Sequence, residues 1–183
     1  MPKLFIISGC NGAGKTTASY TILPNMLNCC NFVNADEIAR GLSPFDPESA
    51  SIQAGRIMLS RVEELLETGQ DFAIETTLAT RTYVNLIRRA QKCGYNVTLL
   101  YFWLNMPSLA IERVKLRVES GGHNVSEDRI RRRYDMGIKN LFHLYIPICE
   151  YWMIIDNSYS PVLICEGGKE ITTKIHNKTL FNQ

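Results

Sequence analysis

A short run of small residues that ends in lysine and threonine carries the strongest chemical signal in the chain. The pattern G-x-x-x-x-G-K-T spans residues 9–16 and directly follows the apolar run 4–7. Between a buried strand and a helix, such a loop presents backbone N–H groups that wrap a di- or triphosphate. We therefore predict a nucleotide site, in which Lys15 reaches the β and γ phosphates and Thr16 places its hydroxyl on Mg²⁺. The residues expected to contact the nucleotide here are Gly9, Asn11, Gly12, Ala13, Gly14, Lys15, Thr16 and Thr17.

Two carboxylates each follow a strand-like run. Asp36 comes after the run 32–34, and Glu75 ends the run 72–75. The carboxyl ends of parallel strands face the crevice where ligands bind, so Asp36 can accept the proton of an acceptor hydroxyl as a general base. Glu75 can hold the water shell of Mg²⁺ or orient Asp36. At each position the alternative is a cap at the start of a helix, and the sequence leaves both interpretations open.

Arginines cluster on two helical segments late in the chain. The segments 107–118 and 126–144 are separated by two glycines rather than by a strand, which favours a lid over approximately residues 113–133. An ordinary helical hairpin is the alternative. Because the arginine fork suits phosphate oxygens, we expect two or three of these side chains to point inward and the others to form a solvated face. The six arginines are Arg113, Arg117, Arg129, Arg131, Arg132 and Arg133.

The elements that must position these groups alternate between strand-like and helical patterns. The strand-like runs are continuous rather than alternating, which is typical of a parallel sheet covered on both faces. In the helical segment 47–68, Ile52, Leu59, Val62 and Leu66 recur at helical spacing, and a second helix is predicted over 83–92. The pattern predicts a doubly wound α/β sheet, with a small terminal strand pair at approximately 162–175. The strand-like runs are 3–8, 32–34, 72–75, 97–104 and 151–155.

Length and composition indicate one globular domain. The chain has 183 residues and a net charge of +2, which is too small to predict nucleic acid or membrane partners. No apolar run approaches the roughly 20 residues that a bilayer span needs. The six cysteines form no C-x-x-C pair, and strand-like sequence begins too early for a signal peptide. We expect free, mostly buried thiols in a soluble cytoplasmic protein.

Two other classes of phosphate-loop protein are disfavoured. A GTPase needs N-K-x-D, but the Asn-Lys pair here is Asn177-Lys178, followed by Thr179-Leu180. The run S-G-G-H at 120–123 is similar to the signature of transporter-type ATPases, but the best metal-binding acid, Glu75, lies far upstream of it. A kinase of a small acceptor is the class that remains, because phosphoryl transfer needs an acid, a metal contact and arginines.

Seven segments together resemble the zeta-toxin family of P-loop kinases, in its short single-domain branch. The resemblance covers nearly the whole chain. It is carried by residues 9–17, N-A-D-E-I-A at 34–39, E-T-T-L-A at 75–79, G-Y-N-V at 94–97, R-V-x-x-R-V-x-x-G-G-H at 113–123, R-R-Y at 132–134 and N-L at 140–141.

The resemblance implies a kinase core with a helical lid, in which Lys15 and Thr16 handle ATP and Mg²⁺. It implies that Asp36 is the base and that Thr77 contacts the acceptor. The implied catalytic set is Asp36, Lys15, Arg117, Arg132 and Arg133. Arg113 and Asn157 are added on the nucleotide side, and the metal residues are Thr16 and Glu75. On the acceptor side we predict Asp36, Glu75 and Thr77. Arg56 and Arg81 can also contact the acceptor, and for each of them the alternative is a structural or surface arginine.

Known zeta toxins phosphorylate UDP-N-acetylglucosamine and are neutralised by an antitoxin. By resemblance we expect an ATP- and Mg²⁺-dependent kinase of a small metabolite, such as a nucleotide sugar, with an antitoxin protein as a partner. The run 75–81 departs from the toxins' E-G-T-x-R pattern, so the acceptor is left open. The alternatives are a kinase of another small molecule, such as an antibiotic or a sugar acid, and a non-catalytic module that binds ATP.

Overall fold

A seven-stranded sheet forms the centre of the computed structural model, which describes residues 1–122 and 124–182. The strands are β1 (Lys3–Ser8), β2 (Phe32–Val33), β3 (Phe72–Thr76), β4 (Asn96–Trp103), β5 (Tyr151–Asp156), β6 (Val162–Gly168) and β7 (Lys174–Ile175). The helices are α1 (Lys15–Asn25), α2 (Ala35–Leu42), α3 (Ser51–Thr68), α4 (Thr82–Lys92), α5 (Pro107–Glu119), α6 (Glu127–Asn140) and α7 (Lys178–Phe181). A π-helical turn, Leu141–Tyr145, and a 3₁₀ turn, Ile146–Ile148, continue α6.

The strand order is β2-β3-β1-β4-β5-β6-β7. The first five strands in this order are parallel, while β6 and β7 are antiparallel to their neighbours. Ser8, the last residue of β1, lies opposite Thr76 of β3 and Tyr101 of β4. The loops that follow β1 and β3 therefore leave the sheet side by side. This architecture confirms the predicted doubly wound α/β fold.

Each face of the sheet has its own apolar core. Alternate residues of a strand point to opposite faces. Leu4 and Ile6 of β1 join a cluster with α3 and α4, whereas Phe5 and Ile7 join a second cluster with α1, α5 and α6. The parallel strands read as continuous apolar runs because helices cover both faces.

The predicted buried face of α3 is partly wrong. Val62 and Leu66 are buried, but Ile52 is 74% exposed and Leu59 is 58% exposed. The buried face also uses Ala54, Met58 and Leu65, which recur at helical spacing on the adjacent side of the helix. The helix begins at Ser51 rather than at residue 47, because the Ala50 and Ser51 N–H groups donate to Pro47 and Glu48 in a preceding turn.

Helices α5 and α6 both contribute side chains to the core on one face of the sheet. Ala110 and Val114 of α5, with Ile130 and Tyr134 of α6, belong to the core beside α1. The segment that joins the helices contains His123, one of the residues that carry the family resemblance, which lies outside the described residues. We call the turn between α5 and α6, with the helix ends next to it, the lid turn; its closure stays a prediction.

In the terminal strands, Gly167 and Gly168 are the last two residues of β6. A Cβ at Gly168 would lie 2.2 Å from the Glu150 carbonyl oxygen, so glycine lets β6 approach the start of β5. The pairing of β6 with β5 therefore extends to Gly168.

All six cysteines, each a described residue, are free, and Cys30 and Cys93 are the exposed ones. Among the helices of the described ranges, none combines the length and apolar character that crossing a membrane requires.

Candidate active site

The glycine-rich loop after β1 needs glycine for both conformation and space. Gly12 and Gly14 have φ values of 77° and 79°, in the left-handed region. A Cβ at Gly12 would lie 2.7 Å from the Ala110 carbonyl oxygen, and one at Gly9 would lie 2.2 Å from that of Phe102. The loop therefore lies directly against the backbone of β4 and of α5.

The start of α1 is open to an anion. Gly14 is its N-cap residue and offers no side chain to the first N–H groups. An uncapped helix start carries unpaired N–H donors and a partial positive charge. The predicted phosphate-binding loop thus ends in the geometry that a phosphate group needs.

Glu75 is the centre of a half-buried polar network between β1, β2 and β3. Its Oε2 accepts hydrogen bonds from Thr16 Oγ1 at 2.8 Å and from Asn34 Nδ2 at 2.9 Å. Its Oε1 lies 3.6 Å from Lys15 Nζ, which also donates to the Cys10 carbonyl at 3.0 Å. Glu75 lies within β3 and caps no helix in the described chain, so the capping alternative for it is wrong.

Asp36 is also not a helix cap. The N-cap of α2 is Asn34, whose Oδ1 accepts the Asp36 N–H at 2.9 Å. Asp36 is the second residue of α2 and is exposed. The Asp36 side chain therefore does not cap the helix. The backbone N–H of Asp36 is connected to the Glu75 carboxylate through the side chain of Asn34.

Arg133 contacts the phosphate loop and lies near the acid on α2. Its Nη1 donates to Asn11 Oδ1 at 3.1 Å. Burial lowers the pKa of the Arg133 guanidinium, and the nearby Asp36 carboxylate opposes that shift. Arginine stays protonated under such conditions, so a fixed positive charge faces both the loop and Asp36.

Arg113 is engaged with backbone carbonyl groups. It donates to Asn157 at 2.9 Å and to Ser158 at 2.7 Å, with a longer bond of 3.4 Å to Gly12. Asn157 in turn donates to the Ala13 carbonyl at 2.8 Å. The loop after β5 is thereby fastened to the phosphate loop, with both predicted nucleotide residues at the junction.

The other lid arginines differ in their surroundings. Arg117 is half-buried in the last turn of α5, where its carbonyl accepts the Gly122 N–H at 2.8 Å. Arg131 and Arg132 are exposed, and Arg129 lies 3.6 Å from Glu48. Arg133 is the lid arginine that the structure brings into contact with the phosphate loop side chains.

Thr77 lies in a loop that α6 holds in place. The next residue, Leu78, is buried with a φ of 56°, and its N–H donates to Thr76 Oγ1 at 3.1 Å. Asn140 donates to the Leu78 carbonyl at 2.7 Å. A Cβ at Gly137 would lie 2.7 Å from the Thr77 carbonyl oxygen, so the helix packs directly on the loop. A left-handed leucine persists only where its surroundings enforce it.

Further along the loop that contains Thr77, the Thr80 carbonyl accepts a hydrogen bond from the Tyr145 hydroxyl at 2.6 Å. Arg81 follows at the start of α4, and Arg56 lies on α3; both are exposed. Within residues 1–122 and 124–182, neither arginine joins the Glu75 network by a hydrogen bond or an ion pair. The loop backbone is fixed, while these two predicted acceptor arginines are not.

Sequence reasoning missed the supporting residues Asn34, Asn140 and Tyr145. Asn34 had a local signal, because a polar residue that follows a strand and precedes a helix is a preferred N-cap. Asn140 and Tyr145 act on carbonyl groups more than 60 residues away, at Leu78 and Thr80, and no sequence spacing indicates such pairs.

The chain is similar to known proteins in sequence and in fold. A family model described as zeta toxin matches residues 1–142. An uncharacterised protein of Haemophilus influenzae is 30% identical over 132 residues, which cover 72% of this chain and 92% of that protein.

Two similar solved structures show the same fold. The structure from the PezAT chromosomal toxin–antitoxin system of Streptococcus pneumoniae has a TM-score of 0.70 at 20% identity, covering 98% of this chain and 77% of that one. The AvrRxo1-ORF1:ORF2 structure with ATP has a TM-score of 0.75 at 16% identity. There the match covers 100% of this chain but 63% of the other chain.

Proposed function

The chain belongs to the zeta toxin family, and from that premise we propose that it is an ATP- and Mg²⁺-dependent kinase of a small metabolite hydroxyl. One observation carries the proposal. Glu75 accepts hydrogen bonds from Thr16 and Asn34 beside Lys15, and Asn34 also caps the helix that bears Asp36. The lysine and metal contact of a phosphate donor site are thus connected to a candidate base.

The donor set suits ATP and Mg²⁺. Thr16 and Glu75 bring a hydroxyl and a carboxylate oxygen to within 2.8 Å of each other, and Mg²⁺ prefers such hard oxygen ligands. When bound, the ion neutralises charge that develops on the phosphates. Lys15 has its amine beside the loop, while Asn157 and Arg113 occupy the side where the base of the nucleotide would lie.

Asp36 is the proposed general base. Its carboxylate takes the proton of the acceptor hydroxyl as the hydroxyl oxygen forms a bond to the terminal phosphorus of ATP and the bond to ADP breaks. Arg133 and Lys15 stabilise the charge of the transferring group, and Arg117 and Arg132 join them when the lid turn closes. Closure also excludes water, which limits hydrolysis of ATP.

For the acceptor we propose a nucleotide sugar, with UDP-N-acetylglucosamine as the first compound to test. Family membership supports this choice, and Arg56, Thr77 and Arg81 are the proposed contacts. The likeness to a toxin–antitoxin structure supports a protein antitoxin as partner and toxicity in its absence. We place this activity in the cytoplasm, where ATP is available.

The test is incubation with γ-labelled ATP, Mg²⁺ and a panel that contains UDP-N-acetylglucosamine, other nucleotide sugars, sugar acids and aminoglycosides. We expect transfer to one class of acceptor. We expect Asp36→Asn to bind ATP normally and to lose about 10²–10⁴-fold in turnover, the range for a general base. Glu37→Gln, the neighbouring carboxylate, is the matched control and should remain active.

Three outcomes contradict parts of the proposal. Transfer only to a sugar acid or an antibiotic overturns the nucleotide-sugar acceptor. Tight ATP binding without transfer to any compound indicates a binding module instead of a kinase. Full turnover by Asp36→Asn removes Asp36 as the base.

A further inference from the structure

The side-chain amide of Asn34 occupies the junction between the two halves of the site. The residue is only 6% exposed, and both ends of its amide are used. Nδ2 donates to Glu75 at 2.9 Å, and Oδ1 accepts the Asp36 N–H at 2.9 Å. The orientation of the amide is fixed by these partners, because a carboxylate can only accept and an N–H can only donate.

Helix α2, which Asn34 caps, also packs on the core through Ala35 and Ile38 of its first turn. Helix α2 has eight residues, and Ala39 is its one buried residue. Its amino end follows β2, a strand of two residues at the edge of the sheet. On top of this packing, the Asn34 side chain gives a direct hydrogen-bonded connection between Glu75 and the first turn of α2, which carries Asp36.

Glu75 is the residue through which nucleotide binding would act on Asn34. It contacts Thr16 and Lys15, the residues proposed for Mg²⁺ and the phosphates. A ligand that draws Glu75 toward itself also acts on Asn34 Nδ2, and through the same amide on the Asp36 N–H.

We infer that Asn34 is a positioning residue that sets Asp36 relative to the phosphate-donor site and couples α2 to nucleotide binding. This inference rests on the proposed kinase function for its catalytic consequence, but the coupling itself requires only ATP and Mg²⁺. Asparagine can do this because its short side-chain amide carries an NH₂ donor and a carbonyl acceptor on two separate atoms. In Asn34→Ser the serine side chain can still cap α2, but it cannot also donate to Glu75 in the way that the asparagine amide does. Asn34→Ala loses both hydrogen bonds.

The coupling is tested by hydrogen exchange of the full-length chain with and without Mg·ATP. In the parent protein, Mg·ATP should slow exchange of both the phosphate loop and the first turn of α2. In Asn34→Ser, we expect the phosphate loop to respond as before and α2 to respond no longer. Asn34→Ala should also exchange faster in α2 without ligand, because the cap is lost.

Asn31 provides the matched control. It precedes the same strand, donates to the Asp71 carbonyl at 2.9 Å and accepts from Arg61 at 3.1 Å, away from Glu75. Asn31→Ser should lower the melting temperature and leave the α2 response to Mg·ATP intact. A parent protein whose α2 ignores Mg·ATP, or an Asn34→Ser protein whose α2 still responds, overturns the inference.

Turnover supplies the second readout, measured with the acceptor that the panel identifies. We expect Asn34→Ser to lose about 10–100-fold in kcat, as supporting residues around metal sites do, with KM for ATP changed by less than about threefold. Asn34→Asp should lose more near neutral pH and recover as the pH falls. The introduced carboxylate repels Glu75 when ionised and can donate to it once protonated.

Failure of the function and failure of the inference give different results. If no compound accepts phosphate, the kinase proposal fails, and the exchange experiment alone decides the coupling. If transfer occurs but Asn34→Ser retains the parental kcat, the positioning role is wrong while the kinase proposal stands.

Discussion

The donor side and the acceptor side of the candidate site are built differently. On the donor side, Lys15 is 7% exposed and Glu75 is held by three neighbours, so side chains and backbone are fixed before any ligand arrives. On the acceptor side, Asp36, Arg56 and Arg81 are exposed. The donor half is preorganised, whereas we propose that the acceptor half is completed when the acceptor binds and the lid turn closes.

This difference follows from what each half must recognise. Phosphate groups are the same in every turnover, and a rigid loop of N–H groups binds them without reorganisation. In the proposed mechanism, an acceptor hydroxyl enters beside Asp36 before the lid turn closes. We expect donor-side substitutions to cost stability, ATP binding and turnover together, and acceptor-side substitutions to cost turnover alone.

The largest effect should come from Lys15→Ala. Removing the cation leaves a half-buried carboxylate with only neutral donors, so we expect about 3 kcal/mol lower stability, the lower end for a broken buried pair. ATP binding and transfer should both be lost, as seen by calorimetry and labelled ATP. Lys92→Ala, an exposed lysine at the end of α4, is the control. Unchanged stability in Lys15→Ala would contradict a preorganised donor side.

Arg133 tests the boundary between the halves. Because it bonds to Asn11 and faces Asp36, Arg133→Ala should lower kcat by about 10²-fold or more while ATP binding changes little. Arg132→Ala, the exposed neighbour on α6, should have a smaller effect, since that side chain must first be ordered. Steady-state kinetics with the identified acceptor separates the two. Equal losses would mean that the contact with Asn11 is not what makes Arg133 effective.

Asn140 tests the limits of this division between the two sides, because it is a buried residue that supports the acceptor side. Asn140→Leu removes the donor to the Leu78 carbonyl, and we expect about 1–3 kcal/mol lower stability and a higher KM for the acceptor. KM for ATP should stay the same. Denaturant unfolding and kinetics test this, with Asn85→Leu on the exposed side of α4 as the control. If stability falls and acceptor binding does not, the loop needs no support from α6.

The smallest effect concerns the terminal strands, away from both halves. A hydrogen bond from the Tyr151 hydroxyl, with a second from His176, lowers the pKa of the Glu166 carboxylate. A depressed carboxylate pKa contributes stability above the ordinary value of about 4.3, and this is lost as the pH falls through the lowered value. We expect NMR signals of β7 to shift below about pH 4.3.

Glu166→Gln is the control for this prediction, since it has no charge to lose and should respond less to acid. Signals from the phosphate loop should stay in place over the same change of pH. A β7 that is unaffected by acid would show that Glu166 does not hold the strand.

The sheet and the phosphate loop could be predicted because their signals are local. The apolar run 3–8, for example, coincides with β1 in the structure. The face of α3 could not be fixed in this way, because Ile52 and Leu59 share the helical spacing of the true core positions. Only packing against β1 and β3 selects the face with Met58, Val62 and Leu65.

The site was predictable in its residue types but not in its connections. Asp36 and Glu75 each had a capping alternative, and the structure gives the cap of α2 to Asn34. The roles of the lid arginines depend on the three-dimensional path of α6, which sets Arg133 against Asn11 and leaves Arg132 exposed. Neighbours in sequence therefore have different surroundings.

The length of α6 sets the spacing between the phosphate loop and the loop that contains Thr77. Arg133 contacts the phosphate loop, and two turns later Asn140 contacts the loop that contains Thr77, about 10 Å along the helix. Inserting or deleting one residue between them would shift one contact by about 1.5 Å and turn it by about 100° relative to the other. Variation in acceptor preference is therefore expected in side chains around Asp36 and Arg81, while the length of α6 between Arg133 and Asn140 stays constant.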